Sequence, residues 1–282
     1  MFGRYAGAVI KLLLIDIDGT LVGQGARIDE RVPPVLERAR RAGVCLALCT
    51  GRPLYGIAQE YASLVNGQGL HIFQNGSVIS RANGEIGRVE SIDQASFEGM
   101  IRAARAAHTP LEVYTPTALH IEAHDQFTLH HAQLLNLKPI EGEDLTRLEG
   151  PVVRLQWVVP ESRLTEVQGI TARFPDLELN SASQMDMPGI VFASVTRKGT
   201  SKTSAAAWLA ATLGADLSAV AMVGDGDGDL DLIGAAGLGI AMGNATSGVK
   251  AAADVVVADV DHGGLVEAVE LVLSRNLSSA QA

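Results

Sequence analysis

The sequence has little cysteine, only Cys45 and Cys49 in 282 residues. They lie four positions apart in an apolar segment typical of a strand, which would put their Cα atoms about 13 Å apart. A disulfide needs a Cα separation below about 7 Å, so we expect none between them. No further Cys or His lies nearby, which disfavours metal binding by this pair. Reduced, buried thiols are typical of a cytoplasmic protein, and we predict that location.

The chain also lacks an excess of positive charge, because 22 Lys and Arg face 32 Asp and Glu, for a net charge of −10. Nucleic acids and anionic membranes attract basic surfaces, so neither is expected as the main partner. No apolar run is long enough to cross a bilayer. The first such run is interrupted by Lys11 and closed by Asp16 and Asp18, and no small-residue cleavage site follows it.

Short apolar runs of strand length alternate with helical patterns in both terminal parts of the chain. The runs are KLLLIDID, VCLALCT, LHIFQN, AVAMVGD, LGIAMGN and ADVVVAD, and the helical patterns include RVPPVLERARRAG and KTSAAAWLAATLG. Nearly continuous apolar strands between helices indicate a parallel sheet covered on both faces. We therefore predict an α/β fold whose Rossmann-like parallel-sheet core comprises residues 1–82 and 190–282.

The middle of the chain, residues 83–189, has a different pattern. Asn83-Gly84 is a strong two-residue hairpin signal. Helical patterns then alternate with strand-like segments such as LEVY, LHIEA and VVRLQWVV. The pattern predicts an α+β domain inserted into the core.

The segment LLLIDIDGTL ends an apolar strand with Asp16 and Asp18. While the backbone stays extended, these two side chains project to the same side. Two neighbouring carboxylates are costly unless a cation lies between them or one is protonated. A strand that ends in solvated aspartates is the less favoured alternative.

Two further strand ends carry polar residues. Thr50 could cap a helix that Pro53 begins, although a hydroxyl beside free N–H groups also suits a phosphate. In SVTRKGTSK, Lys198 lies just before or at a predicted helix start. A lysine there is unfavourable to the helix dipole, which favours a functional role.

The segment MVGDGDGDLDLIG concentrates four aspartates, Asp225, Asp227, Asp229 and Asp231. An EF-hand loop needs glycine at its sixth position and an acidic residue at its twelfth. Leu230 and Ala236 hold those positions, so calcium binding of this kind is excluded. The remaining hypothesis is a metal-binding turn between a strand and a helix, with Asp227 and Asp231 solvated or capping.

These motifs carry a resemblance. DIDGT, TGR, RKG and GDGDGD, in this order and at strand ends, resemble the four motifs of the haloacid dehalogenase superfamily. QNGSVI, GIAMGNA and the position of the insert are similar to its Cof-type branch, which has a large α/β cap between the second and third motifs. One departure is Gly228, which stands where the fourth motif usually has asparagine.

The resemblance implies phosphoryl transfer through an aspartyl-phosphate. Asp16 would be the nucleophile, and Asp18 would protonate the leaving alcohol and then activate water. Thr50 would hydrogen-bond a phosphoryl oxygen. Lys198 would neutralise charge on the phosphate and on Asp16.

The resemblance also implies a Mg²⁺ ion, because hard oxygen ligands suit this metal. Asp16, the backbone carbonyl of Asp18 and Asp225 would bind it, and Asp229 would support the metal site. The predicted substrate-binding residues are Thr50, Gly51, Arg52, Asn75, Gly76 and Asn244. Arg52 could instead be an ordinary surface residue. Asn75-Gly76 could instead be an ordinary turn.

Four histidines of the insert lie close together in sequence, His120, His124, His130 and His131. Zinc is disfavoured there because no thiolates accompany them. They could instead face substrate or water.

Together these features predict a Mg²⁺-dependent phosphomonoesterase that acts on small phosphorylated metabolites, above all sugar phosphates. Its cap would exclude water and select the leaving group. One alternative is a phosphomutase, which shares the nucleophile but in this superfamily typically has a helical cap. Another is a catalytically weak sensor that binds sugar phosphates, for which Gly228 is the sequence support.

Overall fold

The computed structural model describes residues 8–122, 126–142, 144–183 and 187–280. The chain divides into two compact units. The first comprises Met1–Gly51, Glu60–Gly87 and Ser201–Ala282, and the second comprises Arg52–Gln59 and Arg88–Thr200.

The described residues form strands and α-helices with the following bounds. The strands are β1 (Leu12–Ile15), β2 (Cys45–Leu48), β3 (Leu70–Phe73), β4 (Val78–Arg81), β5 (Ile86–Val89), β6 (Leu111–Tyr114), β7 (Leu119–Ile121), β8 (Ile140–Glu141), β9 (Arg154–Pro160), β10 (Leu177–Ser183), β11 (Ile190–Arg197), β12 (Val220–Gly224), β13 (Leu238–Ala241) and β14 (Val255–Val256). The α-helices are α1 (Val32–Arg41), α2 (Ala58–Asn66), α3 (Gln94–Ala106), α4 (Gln126–Leu134), α5 (Leu164–Thr171), α6 (Lys202–Thr212), α7 (Leu230–Ala235), α8 (Ser247–Ala252) and α9 (Gly264–Ala280).

The first unit is built on a parallel sheet of five strands in the order β14-β13-β12-β1-β2. Strand β1 lies between β12 and β2, and all four of its residues are fully buried. Such burial on both faces requires the continuous apolar run that the sequence has there. The predicted α/β fold with a parallel-sheet core is confirmed.

Strand β3 does not extend this parallel sheet as predicted. It pairs antiparallel with β4 in a separate three-stranded sheet, β3-β4-β5. An isolated parallel bridge between Cys49 and Ile72 links it to the end of β2. The predicted turn between β4 and β5 is present, with Gly84 at a φ of +91°.

The second unit contains a six-stranded sheet in the order β10-β11-β9-β6-β7-β8. One face of this sheet forms an apolar core with helices α3 and α5, centred on Trp157 and Phe97. The boundaries predicted at residues 83 and 189 differ from those of this unit, which runs from Arg88 to Thr200 and adds Arg52–Gln59. The second boundary lies after residue 189 because β11, which follows that residue, pairs with β9 and β10 of the second unit.

Both cysteines are free thiols, and Cys49 is buried. Within the described ranges, none of the helices is long and apolar enough to span a membrane.

Candidate active site

The candidate site lies at the carboxyl ends of strands β1, β2 and β12, where open α/β sheets bind ligands. Asp16 directly follows β1, and Asp225 directly follows β12. Carboxylate oxygens of Asp16, Asp225 and Asp229 lie within 4.8 Å of one another. Among the residues that the structure describes, this is the only group of three or more Asp, Glu, His or Cys side chains close enough to share one ion.

The lysine of this cluster is Lys202, and not the predicted Lys198. The Nζ of Lys202 donates to Asp16 Oδ1 at 2.8 Å and to Asp229 Oδ1 at 2.7 Å. Lys198 is exposed after β11 in the second unit, where it lines a groove of about 360 Å³ beside α5 and β10. The structure therefore places Lys202, and not Lys198, against Asp16.

A capping signal in the sequence could have identified Lys202. Ser201 Oγ accepts from the N–H of Ser204 at 3.0 Å, and Ser204 Oγ accepts from the N–H of Ser201 at 3.0 Å. This reciprocal pair forms a capping box and makes Lys202 the first residue of α6. The helix thus begins four residues later than Lys198.

Negative charge exceeds positive charge in the cluster. Burial raises the pKa of Asp16 well above its usual value, and Asp229 and Asp18 add to this while Lys202 opposes it. Burial also raises the pKa of Asp225 to about 6. For Lys202, burial acts to lower the pKa, but Asp16 and Asp229 outweigh it and hold that pKa well above its usual value. An all-oxygen donor set with surplus negative charge fits a hard divalent cation.

Asp225 is fixed by neighbours from two loops. Its Oδ1 accepts from Thr20 Oγ1 at 2.8 Å, and its Oδ2 accepts from Asn244 Nδ2 at 3.3 Å. Gly19 permits this approach, because it has a φ of +77° and any Cβ there would overlap the Asp225 carboxylate. The glycine and threonine of DIDGT therefore serve to seat the carboxylate of the fourth motif.

Both carboxylate oxygens of Asp229 are occupied within the protein. Oδ1 accepts from Lys202, and Oδ2 accepts from the backbone N–H groups of Asp225 at 3.3 Å and Gly226 at 3.2 Å. Asp229 is also 99% buried. These contacts suit a residue that holds Lys202 and the loop, more than one that gives oxygens to a metal.

Asp18 is exposed, in contrast to Asp16. Its charge raises the pKa values of both Asp16 and Asp225, so its carboxylate lies near them. An exposed carboxylate beside a buried one can exchange protons with water and with a bound molecule.

Thr50, Gly51 and Asn75 come together at the end of β2. Thr50 is 99% buried, its N–H donates to Ile72 O at 2.9 Å, and its carbonyl accepts from Asn75 N–H at 3.1 Å. A Cβ on Gly51 would lie 3.0 Å from Asn75 Oδ1. The helix predicted to begin at Pro53 begins at Ala58, so Thr50 does not cap it.

Two other predicted substrate residues have different surroundings. Arg52 belongs to the second unit, where it lines a small pocket with Tyr55 and Leu135. Asn244 donates to Gly19 O at 2.8 Å and accepts from Val260 N–H at 3.0 Å, in addition to its contact with Asp225. Asn244 therefore ties three loops together.

Asp227, expected to be solvated or capping, is exposed and accepts from Thr246 Oγ1 at 2.8 Å.

Three of these four histidines lie in described parts of the second unit. His131 is buried, and its Nδ1 lies 2.8 Å from Glu112 Oε1. His120 is buried in β7, and His130 is exposed on α4. His124 lies outside the described residues.

Comparison with known proteins identifies the family. The family model of haloacid dehalogenase-like hydrolases matches residues 13–269. The phosphoglycolate phosphatase of Methanopyrus kandleri is 25% identical over 271 residues, which cover 96% of this chain and 99% of its own.

Solved structures are similar over almost the whole chain. A haloacid dehalogenase-like hydrolase from Bacteroides thetaiotaomicron superposes with a TM-score of 0.81 at 28% identity, covering 93% of this chain and 99% of that one. The HAD subclass IIB sugar phosphatase BT4131 gives a TM-score of 0.76 at 25% identity, covering 93% and 98%. The resemblance seen in the motifs is confirmed, and the chain belongs to the Cof-type haloacid dehalogenase-like hydrolases.

Proposed function

We propose that this protein is a Mg²⁺-dependent phosphomonoesterase that hydrolyses small phosphorylated metabolites, sugar phosphates in particular. The observation that carries the proposal is the buried cluster in which Lys202 bridges Asp16 and Asp229 beside Asp225. A carboxylate nucleophile next to a fixed ammonium is the arrangement that attack on a phosphate dianion requires.

In the first step, Asp16 attacks phosphorus, and a bond forms between its carboxylate oxygen and the phosphorus. The bond from phosphorus to the alcohol oxygen breaks, and Asp18 donates a proton to that oxygen. In the second step, Asp18 takes a proton from water, whose oxygen attacks the phosphorus and releases Asp16 and inorganic phosphate. Lys202 neutralises charge on the phosphoryl group, and the Thr50 hydroxyl donates to one of its oxygens.

The proposed Mg²⁺ ligands are Asp16, Asp225 and the backbone carbonyl of Asp18. When bound, the ion would supply positive charge against the phosphoryl oxygens and the crowded carboxylates. Asp229, whose two oxygens already accept hydrogen bonds, would act through Lys202 and the loop.

The names of similar proteins support a small phosphorylated substrate. One is a phosphoglycolate phosphatase, and another is a sugar phosphatase of subclass IIB. The chain covers almost the full length of both, including the inserted unit that would select the leaving group. Sugar phosphates are therefore the class that we place first.

The experiment is a measurement of inorganic phosphate release from a panel of phosphosugars, phosphoglycolate, nucleotides and phosphorylated vitamins, with and without Mg²⁺. We expect Mg²⁺-dependent release, highest with a phosphosugar. Asp16→Asn is the control, because a nearly isosteric amide keeps the fold but cannot form the acyl-phosphate. Release by Asp16→Asn at the wild-type rate would contradict the mechanism.

The same panel distinguishes the alternatives. A phosphomutase would yield an isomeric phosphosugar with little free phosphate, and a sensor would bind a phosphosugar without turnover. Either result would overturn the proposal.

A further inference from the structure

Three consecutive residues after β3 adopt left-handed backbone conformations. Gln74 has a φ of +50°, Asn75 of +56° and Gly76 of +101°. Residues other than glycine rarely adopt positive φ. Such conformations persist where the surroundings impose them, and they often mark functional positions.

One end of this turn holds Thr50. The N–H of Asn75 donates to Thr50 O at 3.1 Å, while Thr50 N–H donates to Ile72 O on β3 at 2.9 Å. The backbone of Thr50 is thus bonded on both sides to the segment that leads into the turn. A change in the turn would move the Thr50 hydroxyl.

The other end of the turn abuts helix α6. A Cβ on Gly76 would overlap the carbonyl oxygen of Ser201 and would lie 3.2 Å from Ala205 Cβ. Ser201 is the N-cap of α6, and Lys202 directly follows it. Only glycine lets the turn approach the helix this closely.

We infer that the turn Gln74–Gly76 sets the distance between Thr50 and Lys202, and that Asn75 and Gly76 are positioning residues. They act through backbone conformation, whereas the family resemblance suggested substrate contacts for both. This inference rests on the proposed function, because Thr50 and Lys202 are the two groups assigned there to the phosphoryl oxygens. All four residues belong to the first unit.

The first test compares Gly76→Ala with Gly84→Ala. Gly84 has a similar φ of +91°, but nothing lies within 4 Å of a Cβ there. Both variants bring left-handed strain, and only Gly76→Ala pushes on Ser201. We expect kcat to fall at least tenfold in Gly76→Ala with KM changed less than threefold, since displacements near 1 Å can cost about a hundredfold. Gly84→Ala should keep the wild-type kcat, and equal losses in both variants would overturn the inference.

The second test separates backbone from side chain at Asn75. Glycine adopts the left-handed conformation freely, whereas alanine does not. If the backbone conformation matters, Asn75→Gly retains kcat within about threefold and Asn75→Ala loses it. If the side chain binds substrate, both variants lose activity equally, and the inference fails for Asn75.

A third measurement does not depend on turnover. Crystal structures of Gly76→Ala and Gly84→Ala would give the distance from Thr50 Oγ1 to Lys202 Nζ, for comparison with the same distance in the wild type. We expect it to change in Gly76→Ala alone, and an unchanged distance in that variant would overturn the inference. Absence of phosphate release by the wild type would instead refute the proposed function. The crystal structures would still test whether the turn positions Thr50 relative to Lys202.

Discussion

The Nζ of Lys202 is shared between two buried carboxylates, those of Asp16 and Asp229. Lysine is costly to bury, and here two hydrogen-bonded partners offset that cost. Because Asp229 also accepts two backbone N–H groups, the lysine is held in one orientation. A charge held in advance of reaction is what stabilises developing negative charge most effectively.

Replacement of Lys202 is the most direct test of the corrected assignment. We expect Lys202→Met to lower kcat/KM by roughly a hundredfold or more, the size of effect seen when one electrostatic donor is removed from an active site. Lys198→Met is the matched control and should stay within about twofold of the wild type, because Lys198 is exposed in the second unit. The opposite ranking in phosphate-release assays would restore the assignment made from RKG.

Gly228 allows a gain-of-function prediction. It does not have a positive φ, and a Cβ there would meet nothing within 4 Å, so a side chain fits without strain. Gly228→Asn should raise kcat/KM, because the new side-chain amide can hydrogen-bond a charged group of the site. Such a hydrogen bond is worth about 1.5–3 kcal/mol. Gly228→Ala supplies a Cβ without the amide and should give no gain. A large fall in kcat/KM for Gly228→Asn would disprove the idea that glycine at position 228 lowers the activity.

At the scale of elements, His71 on β3 fastens the end of β2. Its Nδ1 accepts from Leu48 N–H at 3.0 Å, and its Nε2 donates to Asn66 O at 2.9 Å. The ring is fully buried. Burial lowers the pKa of His71 to about 4, and the accepting role of Nδ1 requires the neutral ring.

Stability should therefore depend on pH through His71. The unfolded histidine takes up its proton near pH 6.5 and the folded one only near pH 4, so this contribution is complete above about pH 6.5 and is lost as the pH falls through about 4. The loss should approach about 3 kcal/mol in the free energy of unfolding. Denaturant titrations from pH 7 to 4 would measure it.

His71→Asn is the matched control, because its amide oxygen can accept from Leu48 and does not titrate. The carboxylates of the protein titrate in both variants, so the difference between the two curves isolates His71. The advantage of the wild type over the variant should shrink as the pH falls, and parallel curves would contradict the prediction.

The elements also explain what the sequence could predict. Strand β1 was predictable because burial on both faces imposes a continuous apolar run. The apolar run of β3 predicts a strand but the wrong sheet for it, because such a run does not identify the neighbouring strands. That Asp16 and Asp225 lie close together was predictable because both directly follow such strands.

Other parts of the site were not readable in this way. RKG matches a family motif and so favours Lys198, although the Ser201 cap places the helix start at Lys202. The left-handed conformation of Asn75 was not predictable either, since its turn packs through Asn75 against Thr50 and through Gly76 against α6, both distant in sequence.

At the scale of the whole molecule, each unit has its own apolar core. The first is centred on β1, β12 and α6, and includes Leu14 and Met222. The second is centred on Trp157, which is fully buried between its sheet and helices. Separate cores of this kind usually unfold as separate cooperative units.

Core substitutions should therefore act on one unit at a time. Trp157→Ala should destabilise the second unit by about 3–5 kcal/mol through the cavity that it leaves. Amide hydrogen exchange should then accelerate in β9 and β11, while β1 and β12 keep their protection. Leu14→Ala should give the converse pattern, and accelerated exchange across both units in either variant would indicate a single cooperative structure.

The pairing of β1 with β12 has a consequence for synthesis on the ribosome. Leu12 is opposite Val220, so roughly 200 further residues must be translated before β1 can pair with β12, one of its two neighbours. The whole second unit is translated in that interval, and it can form its core while the first unit is still incomplete. At about 5–20 residues per second, the apolar edge of β1 stays uncovered for ten seconds or longer, which is a period of exposure to aggregation and to chaperones. Asp16 is made early, but Lys202, Asp225 and Asp229 are made last, so a nascent chain has no complete active site until the final third of translation.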